Sequence, residues 1–120
     1  MGQHITSLAI TRLAIGGSAF FTPRLAGRVF GLDIEANPQA PYLARLFGVR
    51  DAALGAGILA TEGEARRQWL AIGVACDAAD ALAGLAAGRE GYLPKATSAV
   101  VTATALGAIV MGALALREAG

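Results

Sequence analysis

The sequence predicts an all-α fold, a bundle of four transmembrane helices with a short interfacial helix between the first two. Three observations carry that expectation. The chain is 55% hydrophobic and only 16% charged, against about a quarter charged in soluble domains. Its apolar residues gather into four stretches, Ile5–Phe21, Tyr42–Thr61, Gln68–Ala87 and Ala96–Leu116. Those stretches hold six of the 19 charged residues, and the connecting segments hold the other thirteen. A soluble bundle carries charge along the outer face of each helix, whereas here the charge lies between the helices. One hundred and twenty residues make one domain, too little protein to cover four such helices, so lipid has to do so.

Each element has its own signals. Ile5–Phe21 follows a four-residue tail, carries Arg12 at its centre and lacks a small-x-small cleavage site, so it reads as a first span and not a cleaved leader. Thr22-Pro23 places a capping residue before a proline, the pattern of a helix start. In Pro23–Leu32 the arginines Arg24 and Arg28 lie on one side and Leu25, Val29 and Leu32 on another. That spacing predicts a short helix lying in the membrane interface. Asn37-Pro38 and Pro41 mark a loop. The second span then runs to the acidic Glu62-Gly63-Glu64, and the third follows Arg66-Arg67, with Trp69 at headgroup level. Gly88–Pro94 is a turn that contains Tyr92. The last stretch, Ala96–Leu116, has 21 residues and no charge, where about 20 suffice to cross the hydrocarbon core.

The six charges inside the spans are Arg12, Arg45, Arg50, Asp51, Asp77 and Asp80, three of each sign. A single such charge at mid-bilayer costs about 2.5–3.5 kcal/mol, so the six are expected to pair as a buried network. Aligning the span centres puts Arg12, Arg50, Asp51 and Asp77 at one depth. The expected pairs are Arg50 with Asp77 and Arg45 with Asp80, while Arg12 faces Asp51 or shares Asp77. Glycines mark the same faces. Gly73, Asp77, Asp80 and Gly84 follow at four, three and four residues, and Gly48, Asp51 and Gly55 form the matching stripe. Small residues let helices approach closely in lipid, so Gly48, Gly55, Gly73 and Gly84 are read as helix-packing positions. The network has two readings, a lock that holds helices in register or a polar pocket or ion pathway, and both stay open here.

Other chemistry has little support. A net charge of +1 offers no patch for nucleic acid. His4 is the only histidine and lies outside the spans, so neither a catalytic triad nor a histidine-ligated metal is expected. Cys76 neighbours Asp77 in sequence but points about 100° away on a helix, and reads as a small packing residue. Gly55-Ala56-Gly57 lacks the third glycine of a dinucleotide loop. Thr97, Ser98, Thr102 and Thr104 are expected to bond back to their own helix. No catalytic residue, metal or cofactor is assigned.

The second and third spans carry a resemblance. Arg45-Leu-Phe-Gly48-Val-Arg50-Asp51, followed by Arg66-Arg67-Gln-Trp69 and Asp77-Ala-Ala-Asp80, resembles a family of small uncharacterised bacterial membrane proteins that is distantly similar to DoxX-like proteins. The resemblance implies a four-helix membrane fold and a motif of Arg45, Gly48, Arg50, Asp51, Asp77 and Asp80, with no established activity. A DoxX-like relationship would imply quinone-associated redox chemistry, although no redox residue here matches one. The expected function is a structural or accessory component of a bacterial inner membrane, multi-pass, with lipid and a homo-oligomer or larger complex as partners. The alternatives are a small transporter or proton- or ion-conducting protein that uses the charged cluster, and a quinone-associated membrane enzyme.

Overall fold

A computed structural model describes residues 1–120, and every regular element in it is an α-helix. The order is α1 (Gln3–Phe21), α2 (Pro23–Val29), α3 (Ala40–Ala60), α4 (Gly63–Glu90) and α5 (Lys95–Ala119). The proline that starts α2 cannot continue α1, because it has no backbone N–H to donate. The chain turns through 116° at that break, and the Thr22 hydroxyl closes α1 by donating to the Ser18 carbonyl at 2.6 Å. Helix α2 is shorter than the expected Pro23–Leu32, since Gly31 takes a left-handed φ of 88° and ends the helical path. Leu25, Val29, Arg24 and Arg28 are all exposed on it, while Pro23 and Gly27 are buried against the bundle. Helix α4 starts five residues before the expected Gln68 and ends at Gly91, whose φ of 82° gives a left-handed cap.

The four long helices form a ring in which α1 packs on α3, α3 on α4, α4 on α5, and α5 back on α1. The diagonal pairs α1/α4 and α3/α5 make no backbone approach. The closest seam is α1/α3, where the two helix backbones touch. A methyl group added at Gly16 would lie 2.5 Å from the Gly48 carbonyl oxygen, and one at Gly48 would lie 2.5 Å from that of Gly16. Gly55 stands over the Ala9 carbonyl in the same way, at 2.8 Å.

The two ends of this ring differ. At the end where α1 begins and α5 finishes, Ile5, Leu8, Ala9, Ile58, Leu70 and Ala115 form a closed apolar cluster, backed by Trp69, Met111 and Leu116. Toward the other end α1 stays on α3 and α4 on α5, but a cavity lies between them. Only 27 of 120 residues are buried, and large apolar side chains such as Ile10, Val49, Ile72, Leu82 and Val110 stay more than half exposed on the outside. Helices α4 and α5 are each long and apolar enough to cross a membrane, and α1 with α2 makes a third crossing if the bent pair counts as one. Helix α3 matches them in length but carries Arg45, Arg50 and Asp51.

Candidate functional site

Arg12 occupies the middle of the ring. It lies on α1 with its side chain 5% exposed, and it reaches both an adjacent helix and the diagonal one. One terminal nitrogen donates to Asp51 Oδ1 of α3 at 2.7 Å. The other donates to Asp77 Oδ2 of α4 at 2.6 Å, and the first also approaches Asp77 Oδ1 at 3.4 Å. Gly73, one turn before Asp77, makes room for this reach, since a methyl group there would lie 2.9 Å from the Arg12 Nη2. Because α1 and α4 have no close backbone approach, this guanidinium bridges them across the bundle by hydrogen bonds.

A second pair lies beside the first. Arg50 on α3 donates to both oxygens of Asp80 on α4, at 3.1 and 2.5 Å, with its guanidinium over the Phe47 ring at 5.2 Å. This pair is about one-third exposed, unlike the triad. The expected pairs Arg50–Asp77 and Arg45–Asp80 are therefore corrected. Arg12 takes Asp77 with two nitrogens, so Arg50 moves one turn along the same face to Asp80. Arg45 leaves the network. It sits one turn inside the start of α3, where a long side chain reaches the end of the bundle instead of its middle. There it donates from Nε to the Phe20 carbonyl at 3.0 Å and lies over the Phe20 ring.

The hydroxyls of α5 also differ from the expectation of self-bonding. Only Thr104 bonds back, to Val100. Ser98 donates across to the Gly84 carbonyl of α4 at 2.7 Å, and Thr97 donates to the Gly31 carbonyl of the loop after α2 at 2.9 Å. Thr102 is buried against Gly84 with no hydrogen-bond partner. The expected packing glycines thus divide by duty. Gly48 and Gly55 seat α3 on α1, Gly84 seats α4 on α5, and Gly73 accommodates Arg12. Gly16 completes the α1 side and was not among the positions read as packing glycines. A reciprocal small-residue search of the first span would have found it. No His/Cys/Asp/Glu group is arranged to hold a metal ion.

Above the triad lies a cavity of about 1150 Å³. Arg12, Asp51, Asp77 and Asp80 are on its wall, and it extends past Phe47 and Thr104 to the loop after α2 and to the turn before α5. Most of its lining residues are hydrophobic. A shallower depression of about 390 Å³ at the opposite end, beside His4 and Glu118, is a surface notch between the two chain termini.

Residues 9–116 match the family described as "Domain of unknown function (DUF4267)". The chain belongs to this family. No curated protein and no solved structure matches the chain. The stretch matching DUF4267 takes in the whole triad, the Arg50–Asp80 pair and all of the cavity wall but Leu8, and leaves out the first six residues of α1 and the last three of α5. The family description carries no activity with it.

Proposed function

We propose that this chain is a multi-pass membrane protein in which all four long helices cross the bilayer and the hollow half of the ring holds a lipophilic small molecule. The observation that carries this reading is the cavity. At about 1150 Å³ it is slightly larger than common ligand sites, which run to about 1,000 Å³ and join mostly apolar walls to a few placed polar groups. A network serving only to hold helices in register needs no such space, because protein interiors normally close to crystal-like density. The charges of α3 are no obstacle to a fourth span, since each has a partner inside the protein: Asp51 has Arg12, Arg50 has Asp80, and Arg45 has a backbone carbonyl. Each end of the ring is fringed with charge. Glu62, Glu64, Arg66 and Arg67 lie at one end, and Arg24, Arg28, Arg89 and Lys95 at the other.

A structural duty for the triad is favoured by a separate observation, the absence of backbone contact between α1 and α4. The two duties are compatible, with Arg12 holding the helices apart and together around the cavity. Native mass spectrometry of the chain released from lipid nanodiscs separates them. Ala105 is buried on the cavity wall. Wild-type protein is expected to carry a bound lipophilic adduct that an Ala105→Phe variant lacks. Identical adduct-free spectra from both proteins would leave the triad with its structural duty alone.

A further inference from the structure

The charge lining the hollow half is mostly negative. The wall includes four carboxylates, Asp33, Asp51, Asp77 and Asp80, and one guanidinium, Arg12. Asp80 is answered from outside the cavity by Arg50. Arg12 answers Asp51 and Asp77 together, one positive charge against two negative. The six charges within the helices sum to zero only on paper, because Arg45 is turned out to the Phe20 carbonyl. The remaining cations are elsewhere: Arg28 is exposed and paired with Glu35, while Arg24, Arg89 and Lys95 are exposed and absent from the wall. The Asp51–Arg12–Asp77 triad therefore lacks one positive charge, on side chains only 5–6% exposed, where an uncompensated charge is costly. A second observation is independent of that count. The Arg12 Nε–H, on a side chain 5% exposed, has no acceptor, and buried donors are normally satisfied.

We propose that the hollow half selects a monocationic amphiphile, a molecule with one amine or ammonium group and a long apolar tail. The cationic head completes the charge of the Asp51–Arg12–Asp77 triad, and an acceptor atom beside it meets the Arg12 Nε–H. The tail runs along the apolar wall past Phe47 and Ala105 toward the turn at Tyr92. This rests on the reading of the hollow half as a ligand site and specifies which ligand it takes.

The test uses three probes with the same tail: N-dodecylethanolamine, whose ammonium head carries a hydroxyl acceptor, dodecanol and dodecyl sulfate. Each is titrated by calorimetry into the full chain in nanodiscs of uncharged lipid, with empty discs subtracted. The cation is expected to bind at least about tenfold more tightly than the alcohol, a difference of about 1.4 kcal/mol, and the sulfate is expected not to bind. Asp77→Asn leaves Arg12 and Asp51 as a neutral pair, so it is expected to abolish the preference for the cation, with cation and alcohol binding alike. Asp51→Asn tests the same point from the other helix should the first variant fold poorly. If cation and alcohol bind equally to the wild type, the charge selection is wrong and the ligand site stands. If no probe binds above empty discs, the ligand site itself is wrong.

Discussion

The two ends of the ring are built from the same residue types and reach opposite outcomes. Where α1 starts and α5 finishes, Ile58 and Leu70 are about 1% exposed and Ala9 and Ala115 are fully covered. At the other end the same helices, with the loop after α2 and the turn before α5, line an open cavity of about 1150 Å³. The difference comes from what lies between them. The Arg12 triad at mid-helix fixes the diagonal spacing with a long side chain, and beyond it the loop after α2 and the turn before α5 form part of the wall. A bundle can thus be dry and closed on one side of an ion triad and open on the other.

The sharpest way to break this comparison is to remove the divider. Arg12→Ala leaves two carboxylates buried and unpaired, and losing one partner of a buried ion pair costs about 3–5 kcal/mol. The variant is expected to lose most folded yield in thermal-shift assays. Arg50→Ala, which leaves a pair already one-third exposed, is expected to shift stability far less. A similar loss in both variants would show that the triad has no special place. Next is the α1/α3 seam. Gly48→Leu drives a side chain into the Gly16 backbone, and overpacking of this kind costs about 1–3 kcal/mol or more. A neutral result, read as an unchanged melting midpoint, would mean that the helices do not touch there.

The two ends can then be compared directly with one substitution. Ala115→Leu enters the closed cluster and is expected to destabilise by about 1–3 kcal/mol. Ala108→Leu enters the hollow half and is expected to stay within about 0.5 kcal/mol of wild type. The smallest effect expected is at the chain termini. Glu118 caps the start of α1, accepting from the backbone N–H groups of His4 and Ile5 at 3.0 Å each and contacting the His4 ring. Although partial burial acts to raise its pKa, the bonds from His4 and Ile5 outweigh it and hold the carboxyl below the ordinary glutamate value. A lowered folded-state pKa stabilises above the unfolded value, and the contribution is lost as the pH falls through the lowered one. Stability measured from neutral pH to below about pH 4 is expected to show a small acid-side loss that Glu118→Gln removes.

Much of this was legible in the sequence, for identifiable reasons. Helix positions followed from apolar runs broken by Pro23, Pro38 and Gly91, because these residues act locally. For five of the six residues, Arg12, Arg50, Asp51, Asp77 and Asp80, membership of the charged cluster followed from the cost of placing charge in apolar helices. Which charge meets which did not follow. Depth alone could not show that α1 and α4 stand on a diagonal, nor that Arg12 would therefore take both oxygens of Asp77 and displace Arg50 to Asp80. Arg45 was misplaced for a related reason, since its nearness to the start of α3 mattered more than its membership of the motif. The hydroxyls of Thr97 and Ser98 bond outward because Gly31 and Gly84 bring foreign carbonyls within reach, a fact of tertiary contact. The cavity left no sequence signal, as an absence of side chains is a property of the assembled ring.

Thiol reactivity at paired positions offers the most direct measurement of the closed and hollow ends. In a Cys76→Ala background, cysteine is introduced at Ala108 in one protein and at Ala115 in another, and each is exposed to a small cationic thiosulfonate in nanodiscs. The cysteine at 108 is expected to react and the one at 115 to stay protected. Equal protection at both positions, or reaction at 115, would contradict a chain that is hollow on one side of Arg12 and closed on the other.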